Sequence, residues 1–200
     1  MKIILTGFEP FGGSEVNSSW ETAVRVGQLA PKDVCMETLL LPVSFVKAGE
    51  MIREALREKR PDVLVMLGQR GKGENIDIER IAINMMDASS PDNDGYHPQE
   101  QTIVDGGEAA YFSNLPVKTL RDALLQKGIP ARVSNSAGLY VCNSTYYNAL
   151  NEIYEQGLST KAVFVHLPKI SVDFPLAMLV EAVKIIIDTM ITIGEDEQIR

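Results

Sequence analysis

Apolar residues along this chain follow two rhythms. Short continuous runs at 2–6, 36–41, 62–67, 131–134 and 161–166 are bounded by turn residues and predict buried β-strands. Between them the apolar positions repeat at helical spacing. Asn17 or Ser18 caps a helix that carries Trp20, Ala23 and Val24 and runs to about Leu29. A second helix covers 45–58, with Phe45, Ala48, Ile52, Ala55 and Leu56 as its inner face. Others are expected over 116–127, after Cys142 through Tyr146, Tyr147, Ala149, Leu150, Ile153 and Tyr154, and within 170–193. Strand, helix and strand again implies right-handed crossovers and a largely parallel sheet. The expectation is an α/β fold. No repeat or linker interrupts the pattern, so a single domain is expected over 1–200.

The irregular stretches carry the exceptions. Gly7-Phe8-Glu9-Pro10-Phe11-Gly12-Gly13 reads as a turn-rich loop whose two aromatics either wall a ligand or pin the loop to the core. Gly68-Gln69-Arg70-Gly71-Lys72-Gly73 also reads as a loop after a strand, but its spacing is neither the dinucleotide fingerprint nor a P-loop. Residues 76–86 alternate in part and include Glu79-Arg80. A buried carboxylate needs a partner, and Arg80 or another cation is the plain choice. Residues 89–106 are polar, with prolines, glycines and acids, and predict a long surface loop that is a lid or mobile.

Composition narrows the function classes. The chain is 45% hydrophobic and 23% charged, an ordinary globular balance. Its formal net charge of −8 argues against a nucleic-acid partner, which wants a basic patch. Residues 176–193 are the most apolar stretch, but Glu181, Lys184 and Asp188 share one helix face, so the segment docks on a core and does not enter a membrane. The first residues turn polar too soon for a signal peptide, and the expected home is the cytoplasm. Asn17-Ser18-Ser19 and Asn143-Ser144-Thr145 are then chance glycosylation matches. With only Cys35, Cys142, His97 and His166, far apart in sequence, neither a disulfide framework nor a metal site is expected. Cys35 is taken as a buried hydrophobe.

Candidate chemistry centres on Ser134-Asn135-Ser136-Ala137-Gly138-Leu139-Tyr140-Val141-Cys142. Cys142 falls at a loop-to-helix junction; it reads either as a small buried hydrophobe or as a nucleophile, since unpaired N–H groups and the helix dipole there favour a thiolate and can receive an oxyanion. A base is available in Val163-Phe164-Val165-His166-Leu167-Pro168, where His166 ends an apolar run. Catalytic groups gather at the carboxyl ends of strands in such sheets. His97 sits in a loop and is the weaker candidate. A third group should orient the imidazole, and the pattern alone does not choose among the acids.

Taken together, Gly7 to Gly13, Asn17-Ser18-Ser19-Trp20, Glu79-Arg80-Ile81-Ala82-Ile83-Asn84, Pro91-Asp92-Asn93, Ser136-Ala137-Gly138 with Val141-Cys142-Asn143, and Phe164 to Pro168 closely resemble the pyroglutamyl peptidase I family. The resemblance spans almost the whole chain. It implies a cysteine peptidase that removes N-terminal pyroglutamate from peptides, with Cys142 as nucleophile, His166 as base and Glu79 as the acid. It also implies an α/β/α sandwich around a mixed sheet, a cytosolic homotetramer, and no metal or cofactor. Phe8 and Phe11 would wall the pyroglutamyl pocket, Gln69 would bond the lactam, and Tyr140 and Val141 would line it. The chain departs from the family where an Arg usually follows the Ala-Ile-Asn segment; here stands Ser89, followed by Ser90. It departs also at the 70–73 loop and at Leu139. Arg70 or Lys72 is the expected replacement for the missing cation. Two other classes compete: a nucleoside phosphorylase-like transferase with phosphate at 71–73, and a non-catalytic binding protein of the same fold.

Overall fold

The computed structural model describes residues 1–31, 34–71 and 73–198, with side chains to 193. Strands β1 (Lys2–Phe8), β2 (Cys35–Leu41), β3 (Val63–Arg70), β4 (Ile76–Glu79), β7 (Ala131–Ser134) and β8 (Lys161–Pro168) form one six-stranded sheet in the order β2-β1-β3-β8-β4-β7. All pairings are parallel except β4 with β8. Strands β5 (Ile81–Ile83) and β6 (Ala110–Phe112) make a separate antiparallel pair. Helices α1 (Ser18–Gln28), α3 (Val117–Gln126) and α5 (Leu176–Gln198) cover one face, and α2 (Phe45–Lys59) and α4 (Val141–Glu155) the other. This is the mixed, mostly parallel α/β/α arrangement that was expected. Among the described residues no helix is long and apolar enough to cross a membrane.

Alternation along the central strands feeds two cores. Val163, Val165 and Leu167 of β8 join the α1/α3/α5 core, while Ala162 and Phe164 join the α2/α4 core. His166 shares the parity of Phe164 and so faces α4. On β3 the same rule sends Gly68 and Arg70 toward α4 and turns Gln69 toward α1.

Several elements overrun their predicted ends, because a ladder with a neighbour outweighs local turn propensity. Gly68, Gln69 and Arg70 continue β3, paired with His166, Leu167 and Pro168, so the predicted loop begins only at Gly71. Phe8 closes β1 in the same way. The helix α5 passes residue 193 and runs through 195–197, which were expected to fray. Residues 76–86 break at Arg80, whose N–H donates to the Ser134 carbonyl at 2.8 Å. Cys35 is exposed at the start of the edge strand β2, contrary to its expected burial.

The long 89–106 loop is anchored and not free. Asn84 Oδ1 accepts the N–H groups of Ile103 and Val104, each at 2.9 Å. Asp92 is buried and accepts the N–H groups of Phe45, Asp94 and Tyr96 at 2.9, 3.0 and 2.9 Å. A bridge joins Met86 to Gln101.

Candidate active site

Cys142 is the second residue of α4 and is partly exposed. Tyr140 precedes the helix in extended backbone and its side chain makes no cap bond. The first-turn N–H groups are therefore open to an anion. Asn143 fixes this end of the helix against β5: its Oδ1 accepts the Ile83 N–H at 3.0 Å, and its Nδ2 donates to the Ile83 and Met85 carbonyls at 2.9 and 3.0 Å.

His166 is buried, and its Nδ1–H donates to Glu79 Oε1 at 2.7 Å. That leaves Nε2 for Cys142, which is a hydrogen-bond partner and charge neighbour of the ring. Burial pushes the imidazole toward its neutral form, but the charges and hydrogen bonds of Cys142 and Glu79 outweigh it and raise the group to about 9. Gly68 lies opposite His166 in the ladder. A Cβ there would stand 2.8 Å from Phe164 Cε1 and 3.0 Å from His166 Cδ2, so the absent side chain makes room for the ring.

Glu79 ends β4 opposite Phe164, and it reaches His166 diagonally across the antiparallel pair. It is fully buried. Of the partners expected for it, Arg80 or another cation, it meets the second kind. Arg70 contacts Glu79 Oε1 at 3.5 Å and Asp77 Oδ2 at 2.6 Å. Asp77 is buried two residues before Glu79 on the same face of β4, and it is also held by Arg132. Among the described residues Glu79 Oε2 has no hydrogen-bond partner.

A cavity of about 340 Å3 opens at this line of side chains. Phe8, Phe11, Gln69, Tyr140, Val141, Cys142 and His166 all border it, so the structure gathers the sequence-nominated residues except buried Glu79, which stands behind the ring. Phe8 borders the cavity and also packs on Phe164, with ring centroids 6.4 Å apart. Gln69 Oε1 accepts the Ser18 N–H at 2.8 Å, which leaves the amide N–H groups of Gln69 as donors. Val43 and Asn17 border the cavity as well and were not nominated for it, and Arg70, expected as a cation near Cys142, also borders it. Asn17 had a legible signal as a helix cap; Val43 had none. His97 bonds the Ala88 carbonyl at 2.8 Å and does not border the cavity.

The sequence profile of the family described as pyroglutamyl peptidase matches residues 1–192. The chain belongs to the pyroglutamyl peptidase family. A pyrrolidone-carboxylate peptidase of Thermococcus onnurineus is 42% identical over 94% of this chain and 98% of its own length. Another from Thermococcus kodakarensis is 44% identical over 84% of this chain and 81% of its own. Among solved structures, a variant pyrrolidone carboxyl peptidase of Pyrococcus furiosus superposes with a TM-score of 0.91 at 36% identity, covering 96% of this chain and 99% of that one. Pyroglutamyl peptidase I of Bacillus amyloliquefaciens gives 0.88 at 36% identity, covering 94% of each.

For a member of the pyroglutamyl peptidase family, the departures noted in the sequence now have places. Arg70 borders the cavity, but its guanidinium is engaged by two carboxylates. Lys72 lies outside the described residues. Of the glycine-containing stretch 68–73, Gly68, Gln69 and Arg70 belong to strand β3. Among the described residues no group of acids, His and Cys could hold a metal ion.

Proposed function

We propose that this protein is a cysteine peptidase that releases N-terminal pyroglutamate from peptides. The observation that carries the reading is the line from Cys142 to His166 to Glu79 along the wall of an apolar cavity. Membership of the family supports it. A pyroglutamyl ring has flat apolar faces, one amide and no charge. Phe8 and Phe11 supply apolar walls, Tyr140 and Val141 the side next to sulfur, and Gln69 a donor for the ring carbonyl. Free glutamate would bring an unpartnered charge against those rings at a desolvation cost.

In the proposed reaction Cys142 thiolate forms a C–S bond to the pyroglutamyl carbonyl carbon. The resulting oxyanion meets the open N–H groups at the start of α4. As the C–N bond breaks, Nε2 of the His166 imidazolium gives its proton to the leaving amine. The neutral imidazole then takes a proton from water, and hydroxide adds to the thioester carbon. Breaking of the C–S bond restores the thiolate beside the imidazolium. Glu79 keeps Nδ1 protonated and the ring aimed throughout. No cofactor is required.

The test is hydrolysis of a pyroglutamyl-coumarin amide with and without a thiol blocker. Turnover abolished by the blocker and by Cys142→Ser, with unchanged fold, is expected. Turnover in Cys142→Ser would refute the nucleophile assignment, and phosphate-dependent turnover would favour the transferase reading. The proposal extends to a cytosolic tetramer, and the exposed Phe112, Tyr154 and Val172 are apolar surface that subunit contacts would cover. Sedimentation at micromolar concentration reads the tetramer directly.

A further inference from the structure

Phe11 and Tyr140 are a shared wall: behind them lies a second cavity, of about 540 Å3. Its remaining lining includes Asp87, Ser89, Ser90, Asn93 and Leu139. Leu139 and Tyr140 belong to the loop that leads directly into Cys142. A peptide whose carbonyl sits at the sulfur has its next residue leaving from this loop, and one residue spans about 3.5 Å of chain. The second cavity is thus within reach of that residue's side chain.

Charge gives the cavity a preference. Among the described residues no Lys, Arg or His lines it. Asp87 is half-buried, and its carboxylate has neither a hydrogen-bond nor an ion-pair partner among the described residues. The neighbouring acids are all engaged. Glu9 accepts the Val43 N–H at 3.0 Å and an Asn93 amide hydrogen at 2.8 Å. Asp92 is filled by backbone N–H groups, and Asp94 pairs with Lys47 at 2.7 Å. Asp87 is also held in place. Its N–H donates to the Leu139 carbonyl at 3.2 Å, and the adjacent Met86 is bridged to Gln101.

We propose that this cavity receives the side chain of the residue after pyroglutamate, and that Asp87 makes it prefer lysine or arginine. This rests on the pyroglutamyl peptidase reading of the adjoining site. A pyroglutamyl peptide has no charged amino terminus, so that residue is the first that can offer a cation. Its aliphatic stem lies along Phe11 and Tyr140, its charge meets Asp87, and the hydroxyls of Ser89 and Ser90 accept its remaining N–H groups.

The test compares kcat/KM for peptides that differ only after pyroglutamate, with arginine, norleucine or glutamate there. Arginine should exceed norleucine by about fivefold at low salt, glutamate should be slowest, and the spread should narrow as salt rises. Asp87→Asn should erase the arginine advantage and leave coumarin-amide hydrolysis within about twofold of the parent. Asp87→Lys should favour glutamate. An arginine advantage that survives in Asp87→Asn, or no ranking in a parent protein that hydrolyses the coumarin amide, overturns this inference alone. A parent protein with no coumarin-amide hydrolysis overturns the adjoining site's reading and this inference together.

Discussion

Gly68→Ala tests whether the imidazole is positioned by the sheet beneath it. The new methyl would stand 2.8 and 2.9 Å from Phe164 Cε1 and Cζ and 3.0 Å from His166 Cδ2. Ordinary carbon contacts lie near 3.5–4.0 Å, so the rings must yield by roughly 0.5–1 Å. Phe164 has little room to do so. It is fully buried, with ring centroids of Tyr146 at 5.8 Å, Phe8 at 6.4 Å and His166 at 4.9 Å around it. Overpacking of this kind costs about 1–3 kcal/mol, and loss of glycine's freedom in the unfolded chain returns about 0.4–1. Central values of about 2 and about 0.7 kcal/mol leave a net cost of about 1.3 kcal/mol, which at this chain length lowers Tm by roughly 3–5 °C. Displacing the base by that distance should lower kcat about 100-fold. KM should change little, since Phe8, Phe11 and Gln69 keep their places. Coumarin-amide kinetics beside a thermal melt reads both effects. A variant with kcat within twofold of the parent and an unshifted Tm would refute the claim that Gly68 clears space for the base.

Three further outcomes follow from the same geometry. Glu79→Gln keeps the shape and removes the charge behind the ring, so kcat should fall by about 10²–10⁴ in steady-state assays with the fold retained. His166, raised from 6.5 to about 9, contributes stability that is full below about 6.5 and lost as pH rises through about 9. The parent Tm should therefore fall across that window, kcat/KM should decline near its upper end, and ring NMR of Cys142→Ser should show the imidazole titrating lower. Asn143→Ala frees the start of α4 from β5 and removes the partner that Asn143 gives to part-buried backbone groups of Ile83 and Met85. It should cost about 1–3 kcal/mol in denaturant unfolding and slow thiol alkylation or turnover at Cys142.

The two rhythms in the sequence were enough to place the sheet and its covering helices, because buried strands and amphipathic helices leave strong periodic signals. Cys142 was legible from a helix start, and His166 from the end of an apolar run. Glu79 was not legible as the third group, because its partner lies across a strand pairing that local pattern does not specify. The clue was present in Ile76-Asp77-Ile78-Glu79, where alternation sets both acids on one face. The Gly68 to Arg70 segment misled for a related reason. Its glycine signals a turn in isolation, whereas here it marks a strand where a neighbouring ring comes close. Cys35 was misplaced because an edge strand exposes residues that a central strand would bury.

Those two acids also explain how so much charge is tolerated beneath the cavity. Asp77 and Glu79 are buried, and each would be costly alone. Arg132 holds Asp77, Arg70 spans Asp77 and Glu79, and His166 shares Oε1 of Glu79 with Arg70. Two carboxylates thus face two guanidiniums, and the Cys142–His166 pair beside them sums to no net charge. Moving a proton from sulfur to Nε2 creates one charge of each sign within that pair and leaves the sum unchanged. The step the proposed reaction needs therefore buries no net charge, and the imidazolium it creates already has Glu79 as its partner. Arg70 is better understood in this light as the counterweight of the acids than as a cation for the oxyanion. Its replacement would leave Asp77 and Glu79 to repel each other directly under the base.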